Sequence, residues 1–177
     1  MSTLAHPAAG WTLRSHSSLL HRIIATESSG TQALLRLTLA LVLLPHGAQH
    51  LFGAFGGYGF AATVEWMSGS LGIPAPLAAA AILLEFFGPV LLLAGFGSRL
   101  IGVALAAFMA AAGSTHAANG FFMNWFGNLP AGVEGFEYHL LAAVIGLAIA
   151  VNGGGSFSVD RVLGRWHQQT PVEDTQR

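Results

Sequence analysis

The chain has 177 residues, 53% of them hydrophobic and 8% charged, with seven basic and eight acidic side chains and a formal net charge of −1. A soluble domain carries roughly 25% charged residues to cover its water-facing surface, so this composition excludes an ordinary soluble globular domain, a disordered chain and a basic nucleic-acid binder. Cysteine is absent, which removes disulfides, thiolate catalysis and any iron–sulfur or thiolate zinc site held by this chain alone.

Residues 1–31 lack an uninterrupted apolar core of signal-peptide length and a cleavage-like site. Trp11, Leu19, Leu20, Ile23 and Ile24 alternate with Arg14, His16, His21 and Arg22, which suits a segment lying on the inner membrane surface; a loose tail is the other reading. A bilayer core about 30 Å thick needs ~20 helical residues to cross it. Gln32 to Phe52 is the first stretch that qualifies. The glycine-rich run Gly53 to Gly59 has no lysine and no following strand–helix unit, so it is not a phosphate loop. All of Gly53–Ile73 reads as an outer loop. The second span runs from Pro74 to Phe96, with Pro74 and Pro76 suited to its first turn, where the missing N–H is not needed. Gly95 and Gly97 then break the chain, and Ser98 is the expected N-cap of the third span, Ser98 to Asn119. A link this short makes the second and third helices antiparallel neighbours. The alanine-rich stretch Ala104–Ala112 predicts close helix packing.

Gly120–Gly135 is a second outer loop, in which Asn119, Asn124 and Asn128 are expected to cap helices or form turns. Phe136 to Val151 is the fourth and shortest span, stopped by Asn152 and Gly153 to Gly155. Each span must be helical, because backbone amides in lipid are satisfied within the segment. Beyond it, Val159, Val162, Leu163 and Trp166 recur at helical spacing with Asp160, Arg161 and Arg165 between them. That pattern predicts a short interfacial helix starting near Ser158, followed from Gln168 by a polar end. The expected architecture is an all-α, up-down-up-down four-helix transmembrane bundle over residues 32–152, with interfacial segments at 1–31 and 153–177.

All seven basic residues are arginines. Arg14, Arg22 and Arg36 precede or open the first span, Arg99 marks the central turn, and Arg161, Arg165 and Arg177 follow the fourth. Neither outer loop has one. With four spans all seven fall on one side, which the positive-inside rule makes cytoplasmic, together with both termini. Arg36 and Arg99 are expected to snorkel toward that side. Trp66, Phe121, Phe122, Trp125 and Phe126 in the outer loops read as headgroup-level anchors, with lids over a buried site as the sharper alternative.

Titratable groups inside spans are costly, about 2.5–3.5 kcal/mol for a central charge. Here they are His46 and His50 in the first span, Glu85 in the second, His116 in the third, and Glu137 and His139 opening the fourth. At ~1.5 Å per residue, Glu85 lies roughly 16 Å down its helix, His46 roughly 9 Å below its outer end and His116 within roughly 8 Å of its own. His46 and His50, four apart, share a face. Near Glu85, Gly88 permits close helix approach and Pro89 favours a kink. Three readings compete. One is a buried hydrogen-bond network that fixes helix packing. Another is a quinone pocket, in which histidines donate to the ligand's carbonyls and Glu85, as the catalytic group, relays protons. The last is a metal or haem site drawing on His46, His50, Glu85 and His116; no sequence-local metal signature is present.

The strings PHGAQHLFGAFGG, LLEFFGPVLLLAGFGSRLIG, STHAANGFF and FEYHLLAAVIGLAIAVNGGGSFSVDRVL resemble, in order and spacing, the DoxX family over roughly residues 32–163. The resemblance implies a small four-helix protein of the bacterial inner membrane, linked with redox work or detoxification in complexes with partner oxidoreductases. The related DoxD type is a subunit of a thiosulfate:quinone oxidoreductase. His46, Glu85, His116, Glu137 and His139 match the family's recurrent polar positions. Without cysteine, sulfur chemistry through an enzyme persulfide needs a partner protein. The bilayer is the first expected partner, a homo-oligomer is compatible with the chain, and nucleic acid is excluded. A non-catalytic scaffold or assembly subunit is the competing functional class. A transporter finds little support in four helices without an inverted repeat.

Overall fold

A computed structural model describes residues 26–130 and 133–169, with side chains to Trp166. The expected surface segment carrying Trp11, Arg14 and Arg22, and the polar end beyond residue 169, lie outside the described residues. Helices α1 (Gly30–Phe52), α2 (Gly59–Ser70), α3 (Ala75–Ala94), α4 (Ser98–His116), α5 (Glu137–Asn152) and α6 (Val159–Gln169) follow one another, and no strand occurs among the described residues. Three of them are long and apolar enough to cross a membrane: α1, α3, and α4 with the 3-10 turn that extends it to Asn119. The apolar α5, at 16 residues, is shorter.

The span limits read from the sequence fall within three residues of these helices, but Gly53–Ile73 is not a loop throughout. It contains α2, which packs on both α1 and α3. Short helices are marginal alone and are stabilised by tertiary contact, which a local reading does not register. Inside α2, Thr63 is buried and its hydroxyl donates to the Gly59 carbonyl at 2.7 Å.

The most extensive helix contacts are α4 with α5 and α1 with α3; α1 also touches α5, and α3 touches α4. Leu39, Ala40 and Leu43 of α1, Leu92 of α3, Leu105 and Met109 of α4, and Ala142 and Ile149 of α5 form one core. Leu34, Leu41, Leu77, Leu100, Leu141 and Leu147 point outward, as expected where the solvent is lipid. With no hydrophobic force between helices in lipid, association depends on close packing of small residues. At the α4–α5 crossing, a Cβ placed on Gly102 would lie 2.7 Å from the Gly146 carbonyl oxygen, so the two backbones are nearly in contact.

The ends of α3, α4 and α5 are fastened by charge, and here two expectations are corrected. Arg36 does not snorkel; it is 1% exposed. Its Nε donates to the Gly154 carbonyl at 2.9 Å, Nη1 to those of Leu92 and Leu93, and Nη2 to those of Ser156 and Phe157. Leu92 and Leu93 belong to the last turn of α3, whose carbonyls have no intrahelical partner and carry the negative end of the helix dipole. Nor is Ser98 the cap of α4: it is the first helical residue, preceded by Gly97 in the left-handed region. Asp160, itself 1% exposed, accepts from the Gly97 and Ser98 N–H groups at 2.8 Å each. A carboxylate is the better cap because it meets the positive end of the dipole with two acceptors. Asp160 also provides a countercharge to Arg36. At the end of α5, Arg99 Nη1 donates to the carbonyls of Ala150 and Val151.

Candidate functional site

The site begins with a broken ladder in α3. Pro89 has no N–H, so the Glu85 carbonyl loses its usual partner four residues on. Gly47 of α1 packs directly on that carbonyl: a Cβ there would lie 2.5 Å from Glu85 O and 2.6 Å from Phe86 Cα. This approach brings His50, one turn beyond Gly47, against the Glu85 side chain. His50 Nδ1 and Glu85 Oε2 share a hydrogen bond of 2.5 Å, with Glu85 buried and His50 partly exposed. Whether the imidazole N–H or a carboxylic O–H donates, the two groups hold one proton between them.

A second group forms where α4 meets the start of α5. The rings of His116 and His139 stack with centroids 4.6 Å apart and planes at 28°. His116 Nδ1 lies 3.1 Å from the Glu134 carbonyl, which also accepts from Asn119 Nδ2 at 2.9 Å. Tyr138 links the two groups. Its ring centroid is 5.5 Å from that of His139 and 5.9 Å from that of the exposed His46. Two buried polar atoms here, Tyr138 Oη and His139 Nδ1, have no hydrogen-bond partner among the described residues. Buried polar atoms are nearly always paired, which sets these two apart from the rest of the interior.

The sequence put His46 among the ligand-site residues and His50 only in the metal alternative, yet His50 holds Glu85 while His46 turns toward Tyr138. Glu137 faces the loop after α4: its Oε1 accepts from the Met123 N–H at 3.0 Å and from the Trp125 indole at 2.8 Å. Its neighbour Tyr138, absent from the sequence candidates, takes a place beside the imidazoles. The available signal was a phenol in the first turn of an apolar helix, flanked by two titratable residues. Among the described residues no three His, Asp or Glu side chains group closely enough to hold a metal ion. Clefts of about 360 Å³ beside α6 and about 340 Å³ in the loop after α4 are lined by neither Glu85 nor these imidazoles. In that loop the Asn124 side chain accepts from the Leu129 N–H and donates to the Leu129 carbonyl, closing a turn. Trp125 and Phe126 stand exposed at its tip.

Apolar helices facing outward, with titratable side chains gathered between them, define a small helical membrane protein. The DoxX family model matches residues 31–125, more than half of the chain, and the protein belongs to the DoxX family. The match takes in His46, His50, Glu85 and His116, while Tyr138 and His139 lie beyond it. No curated protein matches the chain, and no solved structure does.

Proposed function

We propose that the chain is a four-span protein of the bacterial inner membrane, both termini cytoplasmic, serving as the membrane component of a redox or stress-related complex. Its ligand is a quinone, received between Glu85, His50, His46, Tyr138, His139 and His116 at the extracytoplasmic end. The orphaned pair of buried polar atoms, Tyr138 Oη and His139 Nδ1, carries this reading, since both suit the oxygens of a planar, apolar carbonyl ligand. The topology is supported by Arg36, Arg99, Arg161 and Arg165, all on or beside the ends of α3 and α5 that Arg36 and Arg99 cap. The 16 residues of α5 reach about 24 Å, which suits a span that a slightly thinned bilayer accommodates.

A bound quinone would supply two-electron, two-proton chemistry, with electrons delivered by a partner oxidoreductase. Tyr138 and His139 orient the ligand. The His50–Glu85 pair, holding a shared proton in a largely dry setting, donates and recovers protons. His46, the exposed member, connects the group with the outside. The placement of His46, His50, Glu85 and His116 gathers no three of them closely enough to hold a metal ion.

A second reading, a helix-fastening network without a ligand, is favoured by the mutual satisfaction of His50 and Glu85. Glu85→Gln separates the two, because it keeps size and hydrogen bonding but removes the titrating proton. Wild-type protein purified in mild detergent is expected to retain quinone, and to bind an added short-chain quinone at least tenfold more tightly than Glu85→Gln of unchanged melting temperature. Tyr138→Phe should weaken binding about fivefold, the equivalent of one hydrogen bond of ~1 kcal/mol. Absence of quinone binding in the wild type, with Glu85→Gln altering only the melting temperature, overturns the quinone reading in favour of fastening.

A further inference from the structure

Helix α6 is turned the wrong way for a soluble protein. The residues it buries are Asp160 and Gly164, four apart on one face. The residues it exposes include Val159, Val162 and Trp166, spaced i, i+3 and i+7, and Trp166 is 67% exposed. Phe157, just before the helix, is 92% exposed and holds φ at 55°, in the left-handed region that a bulky side chain rarely adopts. That conformation is tied to the interior, because the Phe157 carbonyl accepts from Arg36 while the ring is sent outward. Arg161 and Arg165, four apart, lie on a third face beside this apolar strip. Between them and the end of α3 lies a cleft of about 360 Å³ lined by Ala94, Phe157, Val162, Arg161 and Arg165 among others.

We propose that this cleft is a binding site for the head group of an anionic phospholipid, whose phosphate lies between Arg161 and Arg165 and whose acyl chains run along Phe157, Val162 and Ala94. Two kinds of complementarity argue for a lipid over other occupants. A helix with a basic flank and a separate apolar face fits the boundary between head groups and acyl chains. The cleft also lies at the end of α3, a helix apolar enough to cross the bilayer, so its apolar wall continues directly onto lipid-facing surface. Guanidinium groups bind phosphate through forked, charge-assisted hydrogen bonds, and a basic side chain near an anionic membrane surface strengthens attachment about fivefold. The site is independent of the quinone reading, since it shares no residue with the His50–Glu85 group.

The test uses the full chain in neutral detergent, titrated with phosphatidylglycerol, phosphatidylcholine of the same acyl chains, or glycerol 3-phosphate. Lipid adducts are read by native mass spectrometry and folding by circular dichroism. Phosphatidylglycerol is expected to bind at least tenfold more tightly than phosphatidylcholine and to resist displacement by glycerol 3-phosphate. The double variant Arg161→Gln/Arg165→Gln should lose roughly thirtyfold in phosphatidylglycerol binding, and Arg161→Lys/Arg165→Lys should keep most of it. Should the double glutamine variant not fold, Arg165→Gln alone is read, with a loss of about fivefold expected. Equal binding of the two lipids, undiminished binding in a folded glutamine variant, or displacement by glycerol 3-phosphate at matching concentration would each overturn the proposal.

Discussion

Gly47→Ala tests the contact on which the candidate site rests. A methyl group at this position meets backbone: 2.5 Å to Glu85 O and 2.6 Å to Phe86 Cα. Ordinary contact begins near 3.4 Å, so α1 and α3 must separate by about 0.9 Å. Alanine favours the helix by about 1 kcal/mol relative to glycine. Against this stand an overpacking cost of about 1–3 kcal/mol and loss of the His50–Glu85 bond. Lengthened from 2.5 Å to about 3.4 Å, that bond passes out of useful range, which removes roughly 1.5–3 kcal/mol for a hydrogen bond to a charged group. The net expectation is a destabilisation of roughly 1.5–5 kcal/mol, read by denaturant unfolding in detergent, with parallel loss of quinone binding. Gly88→Ala is the control, because the nearest atoms to its Cβ would be side-chain methyl groups of Leu84, Leu105 and Ile101 at 3.3–3.5 Å and not backbone; its stability should stay within about 1 kcal/mol of wild type. If Gly47→Ala unfolds with Gly88→Ala and keeps its ligand, the idea that backbone contact sets the His50–Glu85 geometry is wrong.

Arg36→Lys keeps the charge but replaces a planar fork with one ammonium, so at least two of the five carbonyls it serves lose their donor. At about 1–3 kcal/mol for each unsatisfied buried group, a loss of roughly 2–6 kcal/mol in unfolding free energy is expected. Asp160→Asn offers one acceptor where two N–H groups are waiting, and withdraws the countercharge from Arg36. It should cost about 1–3 kcal/mol, for a buried N–H left without its charged acceptor, and amide exchange at Gly97 and Ser98 should accelerate. Trp125→Phe removes the indole bond to Glu137 and should cost less than about 1 kcal/mol because the group is exposed; faster proteolysis within residues 120–130, with unchanged global unfolding, is the expected signature.

Helices α1, α3 and α4 were legible because lipid demands long apolar runs, α5 because its shorter run is apolar as well, and glycine and proline mark where those runs stop. Gly53 ends α1 and Gly95 ends α3, both in the left-handed conformation. Helix α2 was not legible, since its stability comes from α1 and α3 and not from its own pattern. The candidate residues could be collected from their burial cost, but their pairing could not. His46 and His50 sit on one helical face, and only the approach of Gly47 to Glu85 selects His50. The fate of Arg36 escaped for a similar reason: its acceptors Leu92, Gly154 and Phe157 are brought to it by chain segments 56, 118 and 121 residues away. The Ser-x-Asp step containing Asp160 was visible as a string, and its work as a cap was not.

The clasp of Arg36 has a bearing on how the protein is made. Arg36 belongs to α1, while three of its five acceptors stand 118, 120 and 121 residues further along the chain. Until that later stretch is made, α1 carries a guanidinium that lacks the Gly154, Ser156 and Phe157 acceptors. A polypeptide truncated before residue 153 would keep all three helices long enough to cross a membrane, yet its Arg36 would hold only the Leu92 and Leu93 carbonyls.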